Sequence, residues 1–490
     1  MRPEMRFRIF AVLALALAGC QPASKPPEPK LPLAACRLPG VETEARCGSL
    51  EVWEDRKANA GRRIAVKVAI VPAKLRAKEA DPILVFAGGP GQGAVALAPQ
   101  VMPLFSRLND ARDVVFIDQR GTGGSNPLDC NGDTALQQMF EDSIPARVVA
   151  DCLRTLDADP RQYTTTPAMA DFDEIRAALG YEKWNLWGGS YGTRAALEYV
   201  RRYPDRVRTV TLDGMAPATM KLPLSFVADG DAALDRLVAA CASDALCESS
   251  YPKLRDTIDA TRKFLARHPV RADILDPLTG DPETITVTEN VFLSGIFRPL
   301  YMPELSSLLP FAITAARRGD FNPLLAQNFE FSDEMSENFS LGMHLSVLCA
   351  EDVPRITPAE LAGLSKSFFG RALVDDFVRA CGIWPRGEVA SDYYEPVKSN
   401  VPALVLSGGI DPATPPRHGA LVASWLPNAK HLVAPNLAHG VSLHGCAPRL
   451  LERFIRTGST EGVDGKCLER IPRPLFLMPL GVHPPAAAAR

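Results

Sequence analysis

The stretch WNLWGGSYGTRAALEYV, Trp184–Val200, places one serine, Ser190, between glycines in a G-x-S-x-G pattern. Its context gives the pattern weight, since the pattern alone arises by chance about 0.1 to 0.2 times in a chain of this length. The run WNLWG is typical of a short buried strand, and TRAALEYVRRYP has apolar residues at helical spacing. The stretch therefore predicts a strand, a glycine-permitted tight turn and a helix, with the serine hydroxyl at the carboxyl edge of a sheet.

Similar short apolar runs, followed by turn residues and then helical patterns, recur along the chain. This alternation predicts an α/β fold with a mostly parallel sheet flanked by helices. The other runs are RIAVKVAIVP, PILVFAGG, DVVFIDQRG, RTVTLDG, PALVLSGG and KHLVAPN.

The spacing of these runs predicts the domain organisation. Between Leu212 and Pro402 the periodicity is mainly helical, as in DAALDRLVAACASDALC. We therefore expect a large helical cap inserted before the strand that returns at PALVLSGG, and a poorly ordered tail after the core. The predicted segments are a signal peptide at 1–19, a Pro-rich tether at 20–34, the core at 35–219 and 396–473, the cap at 220–395 and the tail at 474–490.

Composition narrows the class of protein. The 490 residues are 46% hydrophobic and 23% charged, which is ordinary for a globular protein that can support an enzyme. The net charge of -3 and the absence of a basic run give no electrostatic footprint for nucleic acid. We therefore expect no nucleic-acid partner.

The first twenty residues carry targeting information. Arg2, Arg6 and Arg8 precede the apolar run IFAVLALALAG, which is too short to span a bilayer comfortably and suits a signal-peptide core. The run ends in Leu-Ala-Gly-Cys20, which resembles the bacterial lipobox and implies cleavage before Cys20 and lipid attachment there. The Pro-rich segment QPASKPPEPKLP would then tether the body to a membrane in the bacterial cell envelope, periplasmic or surface-exposed. The alternative is a plain secretory signal with an incidental cysteine.

Cysteine usage agrees with export. Ten of the eleven cysteines remain when Cys20 is set aside, and an even number can pair completely in disulfides. Oxidising compartments preserve such bonds. Zinc binding is the alternative, but the chain has no C-x-x-C and no H-E-x-x-H, so we expect neither metal nor cofactor. Sequence cannot prove the connectivity, but short loops favour pairing of Cys36 with Cys47, Cys130 with Cys152, Cys241 with Cys247, Cys349 with Cys381, and Cys446 with Cys467.

A serine hydroxyl needs a base to accept its proton. Of the seven histidines, His439 lies in a loop, NLAHG, just beyond the last predicted core strand, where it could reach over the sheet edge. Asp411 in LVLSGGIDPATPP ends another strand and is our preferred acid to orient it, with Asp213 in TLDG as the competitor. The chain order Ser190, Asp411, His439 is the order of an α/β-hydrolase.

Acyl transfer also needs donors for an oxyanion. The turn GGPGQG, Gly88–Gly93, follows a predicted strand, and its small residues allow backbone N–H groups to approach a substrate. We expect the N–H groups of Gly89 and Tyr191 to form the oxyanion hole. Phosphate binding is the alternative for such a loop, but no G-x-G-x-x-G or Lys-bearing P-loop fits.

The motifs AGGPGQG, DQRGTGGSNP, GGSYGT, GGIDPATPP and AHG, in this order, resemble the α/β-hydrolase serine peptidases that include proline iminopeptidases and bacterial tripeptidyl aminopeptidases. The resemblance covers about 60–220 and 395–470, and it departs at Ala87, where many members have histidine. It implies Ser190 as nucleophile, His439 as base and Asp411 as orienting acid, with the oxyanion hole given above. Asp118 and Arg120 of DQRG are expected to form a structural pair that braces the loops.

The resemblance also implies cap carboxylates that bind the free amino group of a short peptide. The matching feature is LCAEDVPR, with Glu351 preferred over Asp352, and solvated helix-end charges are the alternative. The leading hypothesis is a lipid-anchored serine exopeptidase that releases short units from peptide amino ends through an acyl-enzyme. A carboxylesterase with the same triad is the alternative, and an inactive binding protein is a third class.

Overall fold

The structure is a computed structural model that describes residues 31–130, 144–275, 280–328 and 338–479. Cys20 and the signal peptide lie outside these residues. Among the described residues, no helix is long and apolar enough to cross a membrane.

The core is a nine-stranded sheet whose strands are β1 Ala34–Cys36, β2 Ala45–Trp53, β3 Arg63–Val71, β4 Ile83–Phe86, β5 Val114–Ile117, β6 Trp184–Gly189, β7 Val207–Asp213, β10 Ala403–Gly408 and β11 Ala429–Ala434. Their order across the sheet is β1-β2-β3-β5-β4-β6-β7-β10-β11. The pairings among β1, β2, β3 and β5 are antiparallel, and those from β5 through β4 to β11 are parallel. The predicted mostly parallel α/β sheet is therefore confirmed.

Helices cover both faces of this sheet, which explains the uninterrupted apolar runs of its central strands. In β4, Leu84 and Phe86 pack into one buried cluster while Ile83 and Val85 pack into another on the opposite face. The core helices are α1 Ala98–Phe105, α2 Ala146–Thr155, α3 Thr165–Leu179, α4 Tyr191–Arg202, α14 Pro416–Ala423 and α15 Ala447–Thr457.

The segment between β7 and β10 forms the cap over the carboxyl ends of the parallel strands, with its own buried cluster. It is not purely helical, because it contains an antiparallel hairpin, β8 Val270–Leu275 with β9 Pro282–Val287. Side chains of this hairpin alternate between buried and exposed, so its sequence lacks the apolar runs of the core strands. The cap helices are α5 Leu224–Ser243, α6 Ala245–Ser250, α7 Leu254–Leu265, α8 Glu289–Phe297, α9 Pro303–Ser306, α10 Leu309–Arg317, α11 Leu341–Val347, α12 Pro358–Gly363 and α13 Asp375–Cys381.

Both predicted end segments differ from the structure where they are described. The sequence predicts a tether that extends to 34, but Leu31 is fully buried against the core and β1 begins at Ala34. It also predicts a poorly ordered tail from 474, but Phe476 packs into the cap cluster and the Leu477 N–H donates to the Ser307 carbonyl at 3.2 Å. Apolar side chains at both ends therefore extend the packed body beyond the predicted boundaries.

The five predicted cysteine pairs are all disulfide-bonded in the structure. Each bond closes a sequence separation of 6 to 32 residues, so each stabilises a local part of the core or cap. The bonds join Cys36 to Cys47, Cys130 to Cys152, Cys241 to Cys247, Cys349 to Cys381, and Cys446 to Cys467.

Among the described residues, no group of three or more His, Cys, Asp or Glu side chains could hold a metal ion. The ten cysteines other than Cys20 are joined in the disulfides given above.

Candidate active site

Ser190 lies at a sharp turn between β6 and α4. Its backbone has φ +54° and ψ −126°, a strained conformation for a residue with a side chain, and its N–H donates to the Asp213 carbonyl at 2.9 Å. The turn fits only because Gly192 has no side chain, since a Cβ there would lie 2.2 Å from the Phe86 carbonyl oxygen. This geometry is the nucleophile elbow that the strand-turn-helix pattern predicts.

His439 and Asp411 lie in the loops that follow β11 and β10. The His439 Nδ1 atom is 2.9 Å from Asp411 Oδ2, and the imidazole keeps 18% of its surface exposed while Asp411 is fully buried. Asp411 also accepts hydrogen bonds from the backbone N–H groups of Ala413 at 2.8 Å and Thr414 at 2.9 Å. A buried, fixed carboxylate facing an accessible imidazole is the arrangement that orients a general base.

The charged forms of Asp411 and His439 stabilise each other. Burial on its own raises the pKa of Asp411, but the His439 imidazole and the hydrogen bonds to the carboxylate outweigh it and hold the pKa below its usual range. Burial lowers the pKa of His439, but the Asp411 carboxylate and its hydrogen bond outweigh burial, so the pKa of His439 is raised. Asp411 is therefore ionised near neutrality and stabilises the imidazolium form.

Asp213, the competitor for the acid role, has a different set of partners. It lies at the end of β7 and accepts hydrogen bonds from the N–H groups of Val441 at 2.8 Å and Ser442 at 2.7 Å. Burial raises its pKa, although these hydrogen bonds act in the opposite direction. Asp213 thus fixes the loop just after His439, whereas Asp411 contacts the imidazole itself.

Two residues that the sequence analysis did not single out also contact His439. Thr414 Oγ1 donates to Asp411 Oδ2 at 2.7 Å and lies 3.1 Å from His439 Nδ1. From the cap, Tyr301 packs edge-on against the imidazole, with ring centroids 5.1 Å apart, and its carbonyl accepts the His439 N–H at 3.1 Å. Thr414 lies three residues after Asp411, in a turn that the sequence already indicates. Tyr301 is far from both residues in the sequence, and only the fold brings it here.

Ser190 and His439 both lie next to Asp213–Gly214. The Ser190 N–H donates to the Asp213 carbonyl, and a Cβ on Gly214 would lie 3.1 Å from His439 Cε1. Ser190, His439 and Asp411 therefore lie in the turns at the carboxyl ends of β6, β11 and β10. Such a set can deprotonate a serine, attack a carbonyl carbon and return the proton to a leaving group.

The loop Gly88–Gly93, here named the oxyanion loop, follows β4 beside the elbow. Gly89 has φ +103°, and a Cβ on it would lie 2.7 Å from the Gly91 nitrogen, so only glycine fits this turn. A Cβ on the neighbouring Gly88 would lie 3.3 Å from the Ser190 Cβ. The backbone of the loop thus runs directly beside Ser190.

Glu351 and Asp352 lie in a π-helical turn, Leu348–Asp352, and both are buried, with 1% and 0% of their surface exposed. The solvated alternative is therefore wrong. Glu351 accepts hydrogen bonds from the Thr165 N–H at 2.7 Å and from the Tyr393 hydroxyl. Burial raises its pKa to about 7, although nearby Arg194 acts in the opposite direction.

Asp352 likewise has protein partners. It accepts from Arg194 Nη1 at 2.8 Å and from the Leu222 N–H at 3.1 Å. The expectation that the two carboxylates face a substrate amino group thus differs from this arrangement. Here they fasten the cap to α3 and to the first turn of α4, because Thr165 begins α3 and Arg194 lies in α4.

Asp118 and Arg120 do not form the expected pair with each other. Arg120 is fully buried and makes a bidentate ion pair with Asp171 of α3, at 2.6 and 2.8 Å. Asp118 accepts from the N–H groups of Val95 at 2.8 Å and Gly124 at 2.9 Å. Both residues brace loops, as the sequence predicts, but through separate partners.

Comparisons with known proteins agree with this geometry. Residues 81–257 match a family described as the alpha/beta hydrolase fold, and residues 366–467 match a family described as TAP-like protein. The first match includes the oxyanion loop and Ser190, and the second includes Asp411 and His439.

Three relatives of the chain are named as peptidases. The chain is 25% identical to serine protease Hip1 of Mycobacterium tuberculosis, over 94% of this chain and 96% of that protein. It is 31% identical to proline iminopeptidase of Neisseria gonorrhoeae over 27% of this chain and 32% of the relative. It is 28% identical to tripeptidyl aminopeptidase of Streptomyces lividans over 39% of each. The chain therefore carries an α/β-hydrolase-fold region and a TAP-like region, and it has serine peptidases and aminopeptidases among its homologues.

Proposed function

We propose that this protein is a serine exopeptidase that releases short units from the amino ends of peptides through an acyl-enzyme. The observation that carries the proposal is the hydrogen bond between Asp411 and His439 beside the strained elbow of Ser190. In the proposed reaction the Ser190 hydroxyl attacks the scissile carbonyl while His439 accepts its proton. His439 then protonates the leaving amine, which departs and leaves the acyl unit on Ser190. A water molecule next gives a proton to His439 and attacks the acyl carbon, and His439 returns the proton to the Ser190 oxygen as the ester bond breaks.

Cap contacts and homology support an exopeptidase rather than an enzyme with an open cleft. Tyr301 of the cap packs directly on His439, so the cap adjoins the reacting groups. Two of the homologues named above are aminopeptidases. A carboxylesterase with the same triad remains the second candidate function, because this fold hosts both chemistries.

A comparison of free and N-acetylated tripeptide p-nitroanilides, with a short p-nitrophenyl ester alongside, tests the proposal. Recognition of an ammonium group through charged hydrogen bonds contributes about 1.5–3 kcal/mol. We therefore expect acetylation to lower kcat/KM by about 10- to 100-fold. The anilide sequence should be varied, so that a poor choice of residues does not imitate the absence of activity.

Two outcomes would contradict the proposal in different ways. Equal kcat/KM for free and acetylated anilides would remove recognition of the amino end. Turnover of the ester with no turnover of any peptide anilide in the set would favour the carboxylesterase.

We also propose that the enzyme is lipid-anchored in the bacterial cell envelope through Cys20. The support is the sequence alone: three arginines, an apolar run and Leu-Ala-Gly-Cys20, followed by a Pro-rich tether. We expect Cys20→Ala to abolish incorporation of a labelled fatty acid and to release the protein from the detergent phase in Triton X-114 partitioning. Cys36→Ala with Cys47→Ala is the control for replacement of cysteines elsewhere in the chain, and fatty-acid labelling that survives in Cys20→Ala would contradict the anchor.

A further inference from the structure

The oxyanion loop is held from the cap by a short segment, 338–344, here named the clamp segment. The Gly93 N–H donates to the Asn338 carbonyl at 3.2 Å, and the Ser340 N–H donates to the Gly91 carbonyl at 2.9 Å. These two backbone hydrogen bonds lie on either side of the bridge that pairs Gln92 with Phe339. The cap thus pairs with the oxyanion loop as one strand pairs with another.

The Phe339 ring covers the two glycines whose backbones need positive φ. Its Cε2 atom would lie 3.4 Å from a Cβ on Gly89 and 3.3 Å from a Cβ on Gly91. The ring therefore occupies the space into which a side chain on either glycine would extend. The loop conformation therefore depends on the ring as well as on the glycines.

His344 contacts the loop at the residue between these glycines. Its Nδ1 atom lies 2.8 Å from the Pro90 carbonyl oxygen, and its ring packs against Phe339 and Phe377, with centroid distances of 5.1 and 5.4 Å. Burial lowers the pKa of His344 to about 4, although the contact with the Pro90 carbonyl acts in the opposite direction. The imidazole is therefore neutral near pH 7, and Nδ1 carries the proton because a carbonyl can only accept.

We propose that His344 is a positioning residue of the oxyanion hole, which holds the Gly89–Pro90 backbone from the cap by donating its Nδ1–H to the Pro90 carbonyl. The Pro90 carbonyl belongs to the Pro90–Gly91 peptide, two peptide units after the one that carries the Gly89 N–H, so a shift of this tight turn would move the donor away from the developing oxyanion. The clamp is itself fixed to the core, because the Ser340 hydroxyl donates to Asp129 at 2.6 Å and the Gly342 N–H to the Leu128 carbonyl at 2.9 Å. The inference rests on the proposed acyl transfer at Ser190, but not on the choice between peptide and ester substrates.

The test compares His344→Leu, which removes the donor, with His344→Asn, whose side-chain amide places an N–H near the position of Nδ1. Turnover is measured on a p-nitrophenyl ester and on the best peptide anilide. Inhibition is measured with a trifluoromethyl ketone, whose tetrahedral adduct on Ser190 carries an oxyanion, and with the matching alcohol, which forms no adduct. His431→Leu is the control, since its imidazole bonds the Ser407 hydroxyl at 2.9 Å in the sheet, away from the loop.

We expect His344→Leu to lower kcat on the ester by about 10- to 100-fold with KM within about twofold, because misplacing one oxyanion donor weakens only the transition state. The inhibition constant of the ketone should rise by a similar factor while that of the alcohol stays constant. His344→Asn should recover most of both losses, and His431→Leu should change neither. Rates are corrected for the folded fraction measured by circular dichroism.

The proposal is overturned if folded His344→Leu keeps the wild-type kcat and ketone inhibition, or if kcat falls without a change in the ketone constant. If His344→Leu does not fold, Phe339→Leu takes its place, because it loosens the same loop while leaving the imidazole. A parallel loss of kcat and ketone affinity in Phe339→Leu supports the proposal that the clamp segment positions the loop, and unchanged values overturn that proposal. Failure of the exopeptidase proposal would give a different result. The wild-type protein would then cleave none of the anilides, but it would still cleave the ester and be inhibited by the ketone.

Discussion

Ser190→Ala should lose hydrolysis of every substrate that the wild-type protein cleaves, by about 10⁶-fold in kcat, and all labelling by a fluorophosphonate probe. The large effect follows from the covalent step, since no other hydroxyl occupies the elbow between β6 and α4. Alanine fits the same backbone without a clash, because it removes only the hydroxyl oxygen. The melting temperature should therefore stay close to that of the wild type.

The matched control is Ser399→Ala, which lies before β10 at the amino end of the strands, opposite to the site. It should retain labelling and turnover. The probe must be applied to oxidised protein, so that all five disulfides are intact. A Ser190→Ala protein that still labels at one equivalent would place the nucleophile elsewhere, and a folded wild type that does not label would favour an inactive binding protein.

The core strands that carry the site could be predicted because they are short apolar runs that end in turn residues. In β4 and β6 almost every side chain is buried, so the sequence signal is strong. The strand β2 was missed because one of its faces is exposed and its apolar residues are interrupted by Arg46, Ser49 and Glu51. The hairpin of the cap was missed for the same reason.

Local signals also located the elbow and the two loops that hold Asp411 and His439, because each follows a core strand directly. Contacts between distant segments were harder to predict. Nothing local in Tyr301 or His344 indicates that the cap carries them to the His439 loop and to the oxyanion loop. Glu351 illustrates the converse case, since the expectations were a substrate-binding carboxylate or a solvated helix-end charge, whereas the fold buries it beside Arg194 and Tyr393.

Asp411→Asn and Asp213→Asn should differ in their effects on catalysis, although both change a buried carboxylate at a strand end. Asparagine at 411 replaces the acceptor of the His439 Nδ1–H with a neutral amide that no longer stabilises the imidazolium and can favour the wrong tautomer. We expect kcat to fall by about 10⁴-fold. Asparagine at 213 keeps one acceptor oxygen, loses the hydrogen bond that the other oxygen accepts from the Val441 or Ser442 N–H, and leaves Asp411 on the imidazole, so we expect a loss of stability and a smaller loss of kcat.

The pH profile separates the two roles further. His439 must be neutral to act as base, so the rate falls on the acid side as it becomes protonated. Asp411 raises the pKa of His439 more than Asp213 does, so removing its charge should move the acid limb of kcat/KM to lower pH. Asp213→Asn should move the acid limb less, in the same direction.

The measurement is kcat/KM on the ester from pH 4 to 9, with each rate divided by the fraction of protein that labels with the fluorophosphonate probe. If Asp213→Asn gives the larger loss of kcat and the larger shift of the limb, Asp213 is the orienting acid, because a residue that only supports the loop cannot move the His439 titration more than its hydrogen-bonded partner does.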